Sequence, residues 1–252
     1  MTNDVSRLLA DPYETPARDR AATMAALQGH IFSCARCVRA GALEVARPIT
    51  RGKGSVDARM LVVGQAPGAT GHLHDKPFSG MAGRTLNLWF QRAGLPPWAH
   101  HDPALAFVTA ITRCFPGKAN GGRGADGRQT GGKGDRMPSG SEILLCQPYL
   151  EAEFALVCPE VVVILGRLAA TRLIGPEPLG ELIGTVRQVE RAGRSIPAVT
   201  LPHPSGISRW LNLPANRDRH DIALRQLGEI LGTLPSDPPV PADGMKPSAV
   251  AD

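Results

Sequence analysis

Aromatic side chains make up only 4% of the 252 residues. The core must therefore be built mostly from Leu, Val, Ile and Ala. No run approaches 18 consecutive apolar residues, which excludes a helix long enough to span a bilayer. The opening stretch, MTNDVSRLLADPYETPARDR, lacks the apolar segment and cleavage site of a secretory signal, so the cytoplasm is the expected location. Neither a Gly-Lys-Ser/Thr phosphate loop nor a GxGxxG dinucleotide fingerprint is present, and no internal repeat is visible. With only five cysteines and a reducing compartment expected, a disulfide framework is excluded as the organising device.

What is present is an ordinary globular mixture, 42% hydrophobic and 20% charged, long enough for one large α/β domain or two small ones. Residues 1–233 are expected to form a single domain, and the Pro-, Ala- and Asp-rich stretch 234–252 a disordered tail. A net charge of +5 suits a polyanionic partner without proving one.

Four short β-rich runs, Met60–Gly64, Ala106–Thr109, Val161–Gly166 and Ile196–Thr200, read as buried parallel strands. Helical patterns alternate with them. One covers the N-terminal segment to about residue 30. Others run over 82–93, from Pro138-Ser139 to about Val157, from Arg167 to Ile174, and from Arg217 to Leu231. Ser139 with Glu142 three residues later has the spacing of a capping box. The pattern predicts an α/β fold, a three-layer αβα sandwich around a central parallel four-stranded sheet, with ligands bound at the strands' C-terminal edge.

Three stretches carry chemistry. GQAPG (64–68) follows the first strand and continues to KPFSG (76–80), where Phe78 is placed either to stack on a flat ring or simply to pack as core. His203-Pro204-Ser205 ends the last strand on the same edge; a histidine there is able to donate to an oxygen that gains charge as a bond breaks. Cys34 and Cys37 form a C-x2-C pair, and Cys114 and Cys146 follow far downstream at element boundaries. Four such thiols suit either zinc or a [4Fe–4S] cluster; Cys158 reads as a core thiol. The basic glycine-rich segment 117–134 is expected to be flexible, either a tolerated insertion or a clamp on a nucleic-acid backbone.

In this order, C-x2-C, GQAPG…KPFSGMAG, FVTAITRC, PSGSEILLC…PEVVVILG and HPS resemble the uracil-DNA glycosylase superfamily, in particular its iron–sulfur families 4 and 5. The resemblance covers about Cys34 to Asn212. It implies an αβα sandwich, a [4Fe–4S] cluster on Cys34, Cys37, Cys114 and Cys146, and hydrolysis of the N-glycosidic bond of uracil in DNA; a monomer is expected. It makes Gln65 the residue beside the attacking water, Phe78 the stacking platform for the flipped base, and His203 the stabiliser of the leaving anion. Gly64, Ala66, Ala110 and Ser205 complete the pocket, and Gly206, Ile207 and Arg209 enter the duplex, with Trp210 and Leu211 packed beneath. Two departures stand out. Ala110 replaces the asparagine that reads the uracil edge in family 4, which predicts a less discriminating pocket. Neither branch's water-activating carboxylate is in its usual place, since Gln65 and Met81 stand there; Asp75 is the nearest acid on the loop, with His72 and His74 as neutral alternatives. Competing readings are a relative that captures uracil-DNA without turnover and a zinc-stabilised nucleotide-binding protein. The histidine-free segment 117–136 argues against covalent capture.

Overall fold

The computed structural model describes residues 17–119, 122–123, 129–130, 134–206 and 209–234. The expected tail beyond 234 and the first sixteen residues lie outside this set. Helices α1 (Ala17–Phe32) and α2 (Arg36–Arg39) lead into β1 (Met60–Gly64), α3 (Ala69–His74), α4 (Met81–Arg92) and β2 (Ala106–Ala110). A two-residue ladder, β3 (Gly122–Arg123) with β4 (Gln129–Thr130), lies in the glycine-rich insertion and precedes α5 (Gly140–Leu156). Then follow β5 (Val161–Leu165), α6 (Arg167–Leu173), α7 (Leu179–Leu182), β6 (Arg187–Arg191), β7 (Arg194–Leu201) and α8 (Pro214–Ile230). Among the described residues, no helix is long and apolar enough to cross a membrane.

The main sheet has the order β2-β1-β5-β7-β6. Its first four strands are parallel, as the apolar runs imply, but β6 adds a fifth, antiparallel to β7. The four-stranded expectation is thus corrected by one edge strand. Arg-Gln-Val-Glu-Arg carries no apolar run because only Val189 turns inward, with the flanking residues wet or half-buried. An edge strand lined with charge is also protected against pairing with other chains.

β1 and β5 are buried along their whole length, as strands covered by helices on both faces must be. Leu61, Val63 and Phe107 pack on one face with α1 and α5, through Leu27, Ile31 and Phe154. Met60, Val62 and Val108 pack on the other with α4 and α8, through Leu86, Phe90 and Leu227. That is the three-layer sandwich.

Strand order reverses at β1, which has β2 on one side and β5 on the other. A crevice opens at such a point beyond the C-terminal strand ends. The register aligns Gly64 with Ala110, and Leu165 with Leu201, so the loops after all four parallel strands meet there.

The capping box at α5 forms as its spacing implies. Ser139 Oγ accepts from the Glu142 N–H at 3.3 Å, and Glu142 Oε2 accepts from the Ser139 N–H at 2.7 Å. Arg136 holds the same carboxylate through two further hydrogen bonds of 2.7 and 2.9 Å. Ser139→Ala should cost about 1 kcal/mol. In a domain of this size that lowers the melting temperature by roughly 2–4 °C, measurable by differential scanning calorimetry.

Candidate active site

A cavity of about 920 Å³ fills the crevice. Gly64, Gln65, Ala66, Phe78, Ala110, His203 and Ser205 all line it. Residues separated by 140 positions in the chain therefore face one space.

Phe78 is held, not merely exposed. Its backbone is left-handed, φ 50°, a conformation that side-chain-bearing residues rarely adopt and that persists only where neighbours enforce it. A Cβ on Gly83 would lie 1.7 Å from the Phe78 carbonyl oxygen, so glycine there is what allows the loop to descend onto α4. A Cβ on Gly64 would stand 3.7 Å from Phe78 Cζ; the ring lies over the strand end. His100 meets that ring edge-on, centroids 6.1 Å apart at 85°. His101 Nε2 bonds to the Pro77 carbonyl at 3.1 Å and stacks on Trp98. Burial pushes the His100 pKa down to about 3, with the neighbouring His101 and Lys76 adding to the shift. It is thus a neutral packing ring. Sequence reading missed this clamp, because nothing in Trp98-Ala99-His100-His101 shows which ring it will meet.

His203 is fixed by its own turn. The Ser205 backbone N–H donates to Nδ1 at 3.2 Å, and Ser205 Oγ lies 2.9 Å from the same nitrogen. With Nδ1 accepting, the proton of the neutral ring resides on Nε2. Burial pushes the His203 pKa down, partly offset by the negative charge of Asp135. The ring therefore serves as a neutral N–H donor at neutral pH. Gly166, with φ 84°, backs it: a Cβ there would come within 3.0 Å of His203 Cβ.

The structure does not bring Asp75, His72 or His74 to the cavity lining. Asp75 ends α3 in a left-handed conformation and its carboxylate pairs with Arg51 at 3.3 Å. The His72 ring rests against Phe115. Gly206 and Arg209 are exposed beside the site, Trp210 and Leu211 pack on the core beneath them, and Ile207 lies outside the described residues. Sequence reading also missed a buried ionic floor. Glu153, with no exposed surface, bonds Arg113 at 2.7 Å and pairs with Lys53, and both cations line the cavity.

A second, small cavity is lined by Cys34, Cys37, Cys114 and Cys146 together, with Arg36, Arg113 and Tyr149. Cys158 is not among its lining residues. Burial, reinforced by the other thiols, pushes Cys37 up to about 11 and Cys114 up to about 12. The Arg113 N–H points at Cys146 Sγ, 3.3 Å away. Burial likewise pushes the Cys146 thiol up; a bound centre's positive charge would replace the protons that such thiols hold. Among the described residues, no three Cys, His, Asp or Glu side chains are arranged to hold a single metal ion.

The family model for the "Uracil DNA glycosylase superfamily" matches residues 51–227, more than two thirds of the chain. The chain belongs to that superfamily. Curated relatives are each named "Type-4 uracil-DNA glycosylase". The protein of Archaeoglobus fulgidus is 26% identical over 207 residues, covering 80% of this chain and 90% of its own. That of Pyrobaculum aerophilum is 26% identical over 63% of this chain and 72% of its own. That of Saccharolobus solfataricus is 30% identical over 54% of each chain. The superfamily match begins at Arg51 and so takes in the cavity loops, both halves of the switch point and the His203 turn.

Proposed function

We propose that this protein hydrolyses the N-glycosidic bond of uracil, and of related deaminated or modified bases, in DNA. The observation that carries the reading is His203: a neutral imidazole with its proton on Nε2, in one cavity with the Phe78 platform and the GQAPG loop. A flipped base stacked on Phe78 would leave with the electron pair of its glycosidic bond. The imidazole N–H stabilises that anion, a preorganised donor in a partly desolvated site. Gln65 offers an amide to the water and the sugar. The cationic rim, including Arg167 and Arg172, suits the phosphate backbone, and flipping costs least at mispaired bases.

The size of the cavity supports a broad substrate range. About 920 Å³ is far more than one pyrimidine ring fills, and Ala110 supplies no hydrogen bond to a base edge. Loss of such readout removes the strongest means of telling similar ligands apart. A panel of duplexes carrying uracil, hypoxanthine or ethenocytosine, assayed for free base, tests this. Release from uracil and at least one other lesion is expected; release from uracil alone would sink the broad range.

The same assay separates turnover from capture. Free base plus an abasic site is expected, rather than a complex resistant to denaturation. Gly166→Ala should displace the imidazole and strain the backbone, lowering base release about tenfold to a hundredfold, with duplex affinity read alongside by fluorescence anisotropy.

For the second cavity, Cys34, Cys37, Cys114 and Cys146 are the residues that would hold a [4Fe–4S] cluster. The four thiols line one cavity, and four thiolates are the donor set that such a cluster would take. Such a centre would cross-link the α2 region, the loop after β2 and α5. Elemental analysis for iron and absorbance near 400 nm test it, with zinc as the opposing result.

A further inference from the structure

We propose that Asp135 is the catalytic carboxylate of this cavity, placed to hold the attacking water and balance the cationic sugar; the proposal rests on the glycosylase reading above. Among the described residues lining the cavity it is the one acid, against Lys53, Arg113, Lys118, Arg136, Arg167 and Arg172. Its charge is felt at His203, whose affinity for protons it raises.

Its position is built. Asp135 Oδ2 accepts the backbone N–H of Ala69 at 3.0 Å, and Oδ1 pairs with Lys118 Nζ at 2.7 Å. A Cβ on Gly68 would stand only 3.2 Å from Oδ2, so the last glycine of GQAPG opens the approach of the carboxylate to that loop. The backbone around it is tied as a neck. Lys118 and Asp135 form an antiparallel bridge, Ala119 N–H bonds the Gly134 carbonyl at 3.1 Å, and Arg136 N–H bonds the Gly117 carbonyl at 3.0 Å. The glycine-rich insertion between β2 and α5 thus closes on itself at its base and delivers an acid to the loop after β1. Its side chain is 30% exposed, leaving it open to a water molecule.

The step balances without further reactants. The C1′–N1 bond breaks and its electron pair leaves with the base, received by the His203 N–H. The water oxygen bonds to C1′ while one water proton passes to the Asp135 carboxylate and on to solvent; the released base takes a proton from solvent. A fixed anion beside the sugar favours the oxocarbenium-like transition state of such reactions.

Single-turnover release of uracil from a duplex tests the assignment, using wild type, Asp135→Asn, Asp135→Ala, Asp75→Asn and His203→Ala. Asparagine keeps an acceptor for the Ala69 N–H and removes the charge. Asp135→Asn should be slower by about 10²–10³-fold with affinity for the duplex changed only a few-fold. Added formate should restore Asp135→Ala about tenfold or more, a rescue that a merely structural aspartate would not show, and one that keeps the test valid if Asp135→Asn folds poorly. Asp135→Asn within threefold of wild type, absence of formate rescue, or a large loss confined to Asp75→Asn would each overturn the proposal, while loss in His203→Ala left the glycosylase reading standing. A wild-type protein that releases no base from any lesion would instead overturn that reading and this proposal with it.

Discussion

Replacing His203 with alanine lowers the rate of base release by about 10²–10³-fold, and the duplex still binds. The size follows from what is removed: a single N–H donor aimed at developing charge, oriented in advance by its own turn. Ser205 occupies Nδ1, so no rearrangement is needed to present Nε2–H. Because burial pushes the His203 pKa below its usual value, the donor at neutral pH is an imidazole, not an imidazolium, and lowering the pH from about 8 to about 7 should not accelerate the reaction through this group. His203→Gln, which keeps an N–H donor, should retain more activity than His203→Ala. Single-turnover assays with saturating enzyme separate this chemical effect from binding. An alanine variant as fast as wild type would remove His203 from the reaction.

Replacing Glu153 with glutamine destabilises the fold by about 3–5 kcal/mol, a drop in melting temperature of roughly 6–20 °C. Glu153 has no exposed surface and serves Arg113, Lys53 and Thr109 at once. Without its charge, two buried cations lose their counter-ion. Burial alone would push the Glu153 carboxyl up, but Arg113 and Lys53, with hydrogen bonds from Lys53 and Thr109, overcome it and hold it below the usual carboxylate range. The sign of the pH effect follows. A carboxylate whose folded pKa is depressed contributes stability above its unfolded pKa of about 4.3, and that contribution is lost as pH falls through the folded value. His100 and His220, pushed down to about 3 and about 4, chiefly by burial, act in the same direction. Below about pH 6.5 the unfolded chain takes up protons that these folded rings refuse. Stability measured by urea titration should be flat near neutrality, decline from about pH 6.5, and fall further as Glu153 protonates. In Glu153→Gln the last part of that decline should be missing. Removing Lys53 as well, as Lys53→Met, should recover part of the loss, since the two residues are in direct contact.

The ionic floor also ties the two cavities together. Arg113 lines both, bonds Glu153 through its guanidinium, and donates its peptide N–H to Cys146. Displacing Glu153 should therefore disturb the thiol cavity and the large cavity together.

Much of this architecture was legible in the chain. The apolar runs at 60–64, 106–109, 161–166 and 196–200 fit buried parallel strands, which need no alternation when helices cover both faces, and strands form at all four. Their C-terminal glycines and prolines marked the edge where GQAPG, Phe78 and His203 meet, and Ser139 with Glu142 announced the start of α5. β6 escaped notice because an edge strand with one inward residue has no apolar run to show.

What the sequence determined alone, then, is everything governed by local period and motif order: the layer arrangement, the ligand-bearing edge, the four thiols and the superfamily resemblance. Tertiary structure alone decided which charges reach the site. Asp75 is near Phe78 in sequence, yet a left-handed turn and Arg51 take its carboxylate away. Asp135 is sixty-six positions beyond Ala69, yet a backbone neck brings the two into hydrogen-bond contact. His100 and Glu153 give no sign in sequence that one will brace Phe78 and the other will neutralise two cations. Short-range periodicity records which face of an element is buried. It does not record which side chains from distant elements will share a space, because that depends on how the loops close in three dimensions.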